Sequence, residues 1–214
     1  KNTRISAEEK AALRQERSEL RAKQNRKAIL ALGGLIICAA LLIAMLVGAG
    51  IKTGMNIIMD NPKTVGSDMI VDAVAAIRDY PCPIIIIDMG TATTMSVIDR
   101  SGNYIGGVIL PRLKVSLDSL SGKTAQLPYI SLETPGKVIG KNTIDCMRSG
   151  IMYGNAAMLD GLIDRMEEEI GEKATIIATG GLARLVTPLC HHSIDFEEDL
   201  LLKGLLILYE KNKK

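Results

Sequence analysis

The chain has 214 residues, 47% of them apolar but only 3% aromatic, so any core must be aliphatic. The formal net charge is +2, which gives no case for a general nucleic-acid binder. The four cysteines, Cys38, Cys82, Cys146 and Cys190, show no paired spacing and read as reduced, mostly buried thiols of a cytosolic domain rather than a disulfide framework.

The balance of charge is uneven along the chain. Residues 1–27 carry nine Lys or Arg against four Glu. From Ala7 to Lys27 the composition favours helix, but apolar positions are too few for a core face, so a solvated basic helical arm is expected. The next segment, AILALGGLIICAALLIAMLVGAGI, runs for 24 residues from Ala28 to Ile51 without a charge. That length can cross a bilayer as a helix, and Gly33 and Gly34 are tolerated in membrane helices. A signal peptide and a buried core helix are the rival readings; the long basic flank and the length of the run favour a membrane span. The basic flank would keep residues 1–27 cytoplasmic and put everything after Lys52 on the far side.

From Lys52 to Lys214 strand and helix patterns alternate, which predicts an α/β layered domain. Ser67–Asp79 has helical periodicity, with Ile70, Val71, Ala73, Val74 and Ile77 apolar. Ile84–Ile87 reads as a buried strand, followed by strands at Met95–Asp99 and Tyr104–Leu110 in a three-strand meander. Helices follow at Lys114–Leu120 and at Thr143–Ile170, the second stopped by Gly171. Ala174–Ala178 is a short strand before Gly180-Gly181, and Leu200–Glu210 a final helix.

Three turns carry chemistry. In DMGTATT, Gly90 would permit a bend at positive φ, so that backbone N–H groups converge and Thr91, Thr93 and Thr94 add hydroxyls, a nest suited to phosphate. Asp88 opposes a phosphate unless a cation lies between them, so it reads as a metal contact. A hairpin with a capped turn is the plainer alternative. ATIIATGGLA puts a glycine pair just past a buried strand, where α/β folds bind ligands. GKNT offers Asn142 or Thr143 as a helix cap or a ligand contact. Asp68, in VGSDMIVDAV, falls in the first turn of a helix, as a cap or as a general base. His191 and His192 lack a second ligand pair at metal spacing and read as loop residues.

The runs VGAGIKTGMNI, DNPKTVGSDMIVDAVAAI, IIIIDMGTATT, GNYIGGVILP, SLDSLSGKTAQLP, VIGKNTIDCMRSGIMYGNAAMLDG, ATGGLA and LLLKGLLILYEKN stand in this order. From about Val47 onward the chain resembles the type III pantothenate kinases of bacterial coenzyme A biosynthesis. The resemblance implies a ribonuclease-H-like lobe of the acetate and sugar kinase, Hsp70 and actin superfamily, in which two lobes hold ATP between them. The reaction it implies is ATP-dependent phosphorylation of pantothenate to 4'-phosphopantothenate, with Mg2+ accompanying ATP and a monovalent cation, K+ or NH4+, required. A cytoplasmic homodimer is the implied setting. Position by position, Asp68 resembles the proton acceptor, and Gly66, Ser67, Asp68 and Met69 the substrate-contacting stretch. Thr143 is similar to a further substrate contact, Thr91 to an ATP contact and Asp88 to the cation ligand.

Some features depart from the family pattern. The Asp-x-Gly-Asn-Thr loop of the first lobe has no counterpart, and residues 1–46 stand where that lobe is expected. Met69 replaces a common Arg and cannot pair with the pantothenate carboxylate, while Arg112 follows Pro111 where many members have Gly. The alternative expectation is therefore a catalytically inactive, membrane-anchored kinase half or binding module, with residues 28–51 as the anchor. A third is that residues 1–46 are a mis-assembled gene end. Without a first lobe, an exposed apolar surface and marginal solubility are also expected.

Overall fold

The computed structural model describes residues 51–123 and 127–213. The basic arm and the apolar run, with the membrane-span reading, lie outside the described residues apart from Ile51. Among the described residues no helix is long and apolar enough to cross a membrane.

The first helix, α1 (Ser67–Asp79), begins at a Gly66 N-cap and ends where Tyr80 turns extended. Four β-branched isoleucines then commit Ile84–Met89 to strand β1. It pairs antiparallel with β2 (Thr93–Ile98), which pairs antiparallel with β3 (Tyr104–Leu110). The β2–β3 turn is fixed by Asp99, whose Oδ1 accepts from Ser101 and Asn103 N–H at 2.8 Å each. Helices α2 (Leu113–Lys123) and α3 (Thr143–Ile170) follow. Strand β4 (Thr175–Thr179), a single turn α4 (Ala183–Val186), the short β5 (Asp195–Phe196) and α5 (Leu200–Asn212) complete the chain.

The sheet order is β3-β2-β1-β4-β5, with β4 parallel to β1 and β5 parallel to β4. The crossover from β3 to β4 consists chiefly of α2 and α3. Strand β1 is central and buried on both faces, so its pleat divides the core in two. Ile85, Ile87 and Met89 pack with α2 and α3 through Leu113, Leu117, Met152, Leu159 and Ile163. Ile84 and Ile86 pack on the other side with Ala73, Ala75 and Ala76 of α1 and Leu200 of α5. Each fully buried isoleucine contributes roughly 1.5–3 kcal/mol relative to exposure. Helix α5 closes tightly on α1: a Cβ at Gly204 would come within 2.1 Å of the Val71 carbonyl oxygen.

The expected helix at Ser67–Asp79, the meander, the long α3 with its left-handed Gly171 cap at φ 82° and the last helix all stand as read. Two local points differ from the family pattern or the expectation. Arg112, where many members have Gly, needs no glycine-like backbone, since among the described residues no non-glycine has positive φ. Its carbonyl accepts the Ser116 N–H at 3.1 Å and starts α2. Cys146 is exposed, and Cys82 and Cys190 are half-buried, so the described thiols are less enclosed than expected.

Candidate active site

Asp88 is paired with Thr179 across the parallel β1–β4 ladder, where both strands end at their carboxyl edge. Loops leaving parallel strands at that edge are free of the ladder and can turn toward a ligand. Here the two loops are DMGT and ATGG, and both bring a glycine to the Asp88 carboxylate. A Cβ at Gly180 would stand 2.7 Å from Asp88 Oδ1 and 2.6 Å from the Met89 carbonyl carbon. A Cβ at Gly90 would stand 3.2 Å from both carboxylate oxygens. Only glycines leave the carboxylate open on these two sides.

The reason for Gly90 differs from the expected one. It is not among the glycines with positive φ; Gly180 is, at 90°. Gly90 supplies room, and Gly180 supplies both room and the left-handed bend. The hydroxyls also divide. Thr93 is buried in β2 opposite Met89 and Thr94 pairs with Asp88, so the ladder takes both backbones, while Thr91 alone stays exposed outside the strands.

Asp68 is exposed at the start of α1, and its Oδ1 accepts the Met69 N–H at 2.9 Å. The side chain thus engages the first turn, while the Gly66 N-cap supplies no side-chain bond. A Cβ at Gly66 would meet Asp68 Oδ1 at 2.5 Å, so the glycine makes room for this carboxylate too. Ser67, Asp68 and Met69 form the first turn, and Ser67 and Met69 are half-buried. The electrostatics place Asp68 with Asp88. Burial, then the Asp68 charge, pushes the Asp88 carboxyl up to about 6.

A third carboxylate, Asp72 of α1, acts electrostatically with this pair. Asp72 is 4% exposed, and its Oδ1 has no hydrogen-bond partner. Burial, then Asp88, then Asp68, raises its pKa well above the ordinary carboxylate range. The sequence held a signal for it. In SDMIVDAVAA an aspartate interrupts the apolar face one turn after Asp68, and i, i+4 spacing puts both on one side of the helix.

GKNT is resolved in favour of capping for Asn142, whose Oδ1 accepts the Asp145 N–H at 2.9 Å. Thr143 is the exposed first residue of α3, and among the described residues no hydrogen bond joins it to the Asp68–Asp88 group. A Cβ at Gly140 would meet Cys146 N at 2.5 Å, so this loop folds back closely on α3. His191 and His192 lie in a loop held to α3, their N–H groups donating to Asp160 at 2.9–3.2 Å. The His192 ring lies 3.0 Å from Asp164 in a group with Glu167, but Glu167 is engaged by Lys173 Nζ at 2.6 Å and Ala174 N–H at 3.0 Å.

The residues around Asp88 suit a hard cation. Oxygen donors are what such ions take; the two glycines keep the carboxylate open, and the partnerless Asp72 oxygen lies in the same electrostatic group.

A parallel strand pair with glycine turns at its carboxyl edge is the place where open α/β sheets bind ligands. A family model, that of type III pantothenate kinase, matches residues 31–165. A type III pantothenate kinase of Exiguobacterium sp. is 49% identical over 170 residues, covering 79% of this chain and 66% of that protein. One from Syntrophobacter fumaroxidans is 48% identical over 171 residues, with the same coverage. A crystal structure from Campylobacter jejuni, assigned to the Baf family of transcriptional activators, aligns at a TM-score of 0.51 with 19% identity. It covers 72% of this chain and 68% of that one, and likens the two in fold. The chain belongs to the type III pantothenate kinase family, and it spans 66% of the length of these two curated relatives.

Proposed function

We propose that this chain carries out ATP-dependent phosphorylation of pantothenate to 4'-phosphopantothenate, the first step of coenzyme A biosynthesis. The observation that carries the reading is the convergence of Asp88, Gly90 and Gly180 at the carboxyl edge of β1 and β4, with Asp68 in electrostatic range. In this reading the described unit is a ribonuclease-H-like lobe of the acetate and sugar kinase, Hsp70 and actin superfamily. The β3-β2-β1-β4-β5 order with an antiparallel β2 supports that assignment.

Asp68 accepts the proton of the terminal pantothenate hydroxyl as its oxygen attacks the γ-phosphorus of ATP. The bond from that phosphorus to the β,γ-bridging oxygen breaks, and ADP leaves. Exposure suits Asp68 to this role, since a general base must reach the substrate directly. Gly66, Ser67 and Met69 line the substrate beside it, with Thr143 as a further contact. Thr91, the exposed hydroxyl of the turn, contacts ATP, which brings its Mg2+. Asp88 holds a monovalent cation, K+ or NH4+, whose charge lets a carboxylate stand close to phosphate oxygens. The working form is a cytoplasmic homodimer.

Thermal unfolding of the full chain tests the binding half of this reading. Mg·ATP in KCl should raise the midpoint, and Thr91→Ala should weaken that rise. The second reading is a non-catalytic kinase half anchored through residues 28–51. It is favoured by the 24-residue uncharged run, and it predicts partition into membranes with no stabilisation by ATP.

A further inference from the structure

Asp72 is the feature that the reading above leaves unused. It sits on the buried side of α1, is 4% exposed, and leaves Oδ1 without a hydrogen-bond partner. A buried carboxylate without partners costs several kcal/mol, and a sequence selected only for stability would place an apolar residue there. Its neighbours on the same helix are Val71, Ala73, Val74, Ala75 and Ala76, all buried, so an apolar side chain would suit the position. The other ionisable groups acting on it are Asp88 and Asp68, both of like charge. Two carboxylates, the half-buried Asp88 held open by Gly90 and Gly180 and the buried Asp72 with an orphaned oxygen, form an incomplete polar group. What completes it is a cation.

We propose that Asp72 is the second carboxylate of the cation pocket, so that the bound cation links Asp88 on β1 to Asp72 on α1. This rests on the reading of Asp88 as a cation ligand and extends it to the helix. Asp72 stands four residues after Asp68, on the same side of α1. A cation held between Asp88 and Asp72 therefore ties the second turn of α1, one turn after Asp68, to the end of the sheet. The cation becomes a clip that positions Asp68, and Asp72 acts as a positioning residue rather than a group that touches substrate.

The test is thermal unfolding of the full chain against increasing KCl, with choline chloride holding ionic strength constant and MgCl2 as a separate arm. Wild type should be stabilised by K+. In Asp72→Asn the K+ concentration giving half the stabilisation should rise roughly 10- to 100-fold. Asp72→Asn should also match or exceed wild-type stability without K+, because a buried charge has been removed. Asp68→Asn should shift the K+ response less than Asp72→Asn does, since Asp68 acts on the pocket by charge from outside the clip. Hydrogen exchange on wild type gives a second readout, as K+ should slow exchange of the first-turn amides of α1.

An unchanged K+ response in Asp72→Asn would overturn the proposal. So would a wild type that neither K+ nor Mg2+ stabilises, or a first turn whose exchange ignores K+. Stabilisation by Mg2+ alone, lost in Asp72→Asn, would support the two-carboxylate pocket and reassign its ion. Failure of the kinase reading looks different: a chain that phosphorylates nothing yet shows the Asp72-dependent K+ response sinks that reading and keeps this one.

Discussion

Two glycines decide the shape of the site. Gly180 has a left-handed backbone and backbone atoms 2.6 Å from any added Cβ, so Gly180→Ala should lose stability by roughly 1–3 kcal/mol. Gly90 lies in ordinary backbone space, and its added Cβ would press on a side chain that can move. Gly90→Ala should therefore fold with a near-normal midpoint but lose its response to Mg·ATP and K+. Equal midpoint losses in the two variants would contradict this division. Asp88 itself should give a pH signature. Its carboxyl titrates near about 6 in the fold, above the unfolded value near 3.9. The folded chain then binds more protons between those values, and stability from this group falls as pH rises through them. In cation-free buffer, wild-type stability minus that of Asp88→Asn should decline from about pH 4 to about pH 6, measured by urea unfolding. A rise across that window would refute the assignment. Among the described thiols, burial, then Asp160, pushes Cys190 up to about 12, so exposed Cys146 should be alkylated first at neutral pH. Mass mapping after brief iodoacetamide treatment checks this.

At the scale of elements, long periodic segments were legible and short ones were not. Helix α1 was readable because its apolar spacing follows the helical period, and α3 because Asn142 caps one end and Gly171 the other. Strand β5 has two residues and α4 has four, too few for any period to show. Their existence depends on tertiary support, β5 through pairing of Ile177 with Asp195 and Ala178 with Phe196. The DMGTATT turn was legible as a break between two strands, but the role of Gly90 was not, because its neighbours are fixed only once the sheet forms. Asp72 was written into the helix pattern, yet its burial depends on where α1 packs. Gly204 is a similar case. No local turn needs it, and only the 2.1 Å approach to the Val71 carbonyl explains it. Gly204→Ala should push α5 off α1 and cost roughly 1–3 kcal/mol. A midpoint equal to wild type would show that the two helices can separate without loss.

For the whole molecule, the sheet order places the site. With β1 central and β4 beside it in parallel, their carboxyl ends meet at one edge, and the Asp68 charge at the start of α1 acts on Asp88 there. The three carboxylates therefore come from two elements that converge only when the two faces of β1 are both packed. The span matched by the family model, residues 31–165, includes the DMGT turn. The most direct test is turnover: purified full-length chain, pantothenate and ATP with Mg2+ and K+, and 4'-phosphopantothenate detected by mass spectrometry. The account predicts product from wild type and a loss of about 100-fold or more in Asp68→Asn. Equal inertness of wild type and Asp68→Asn would contradict it.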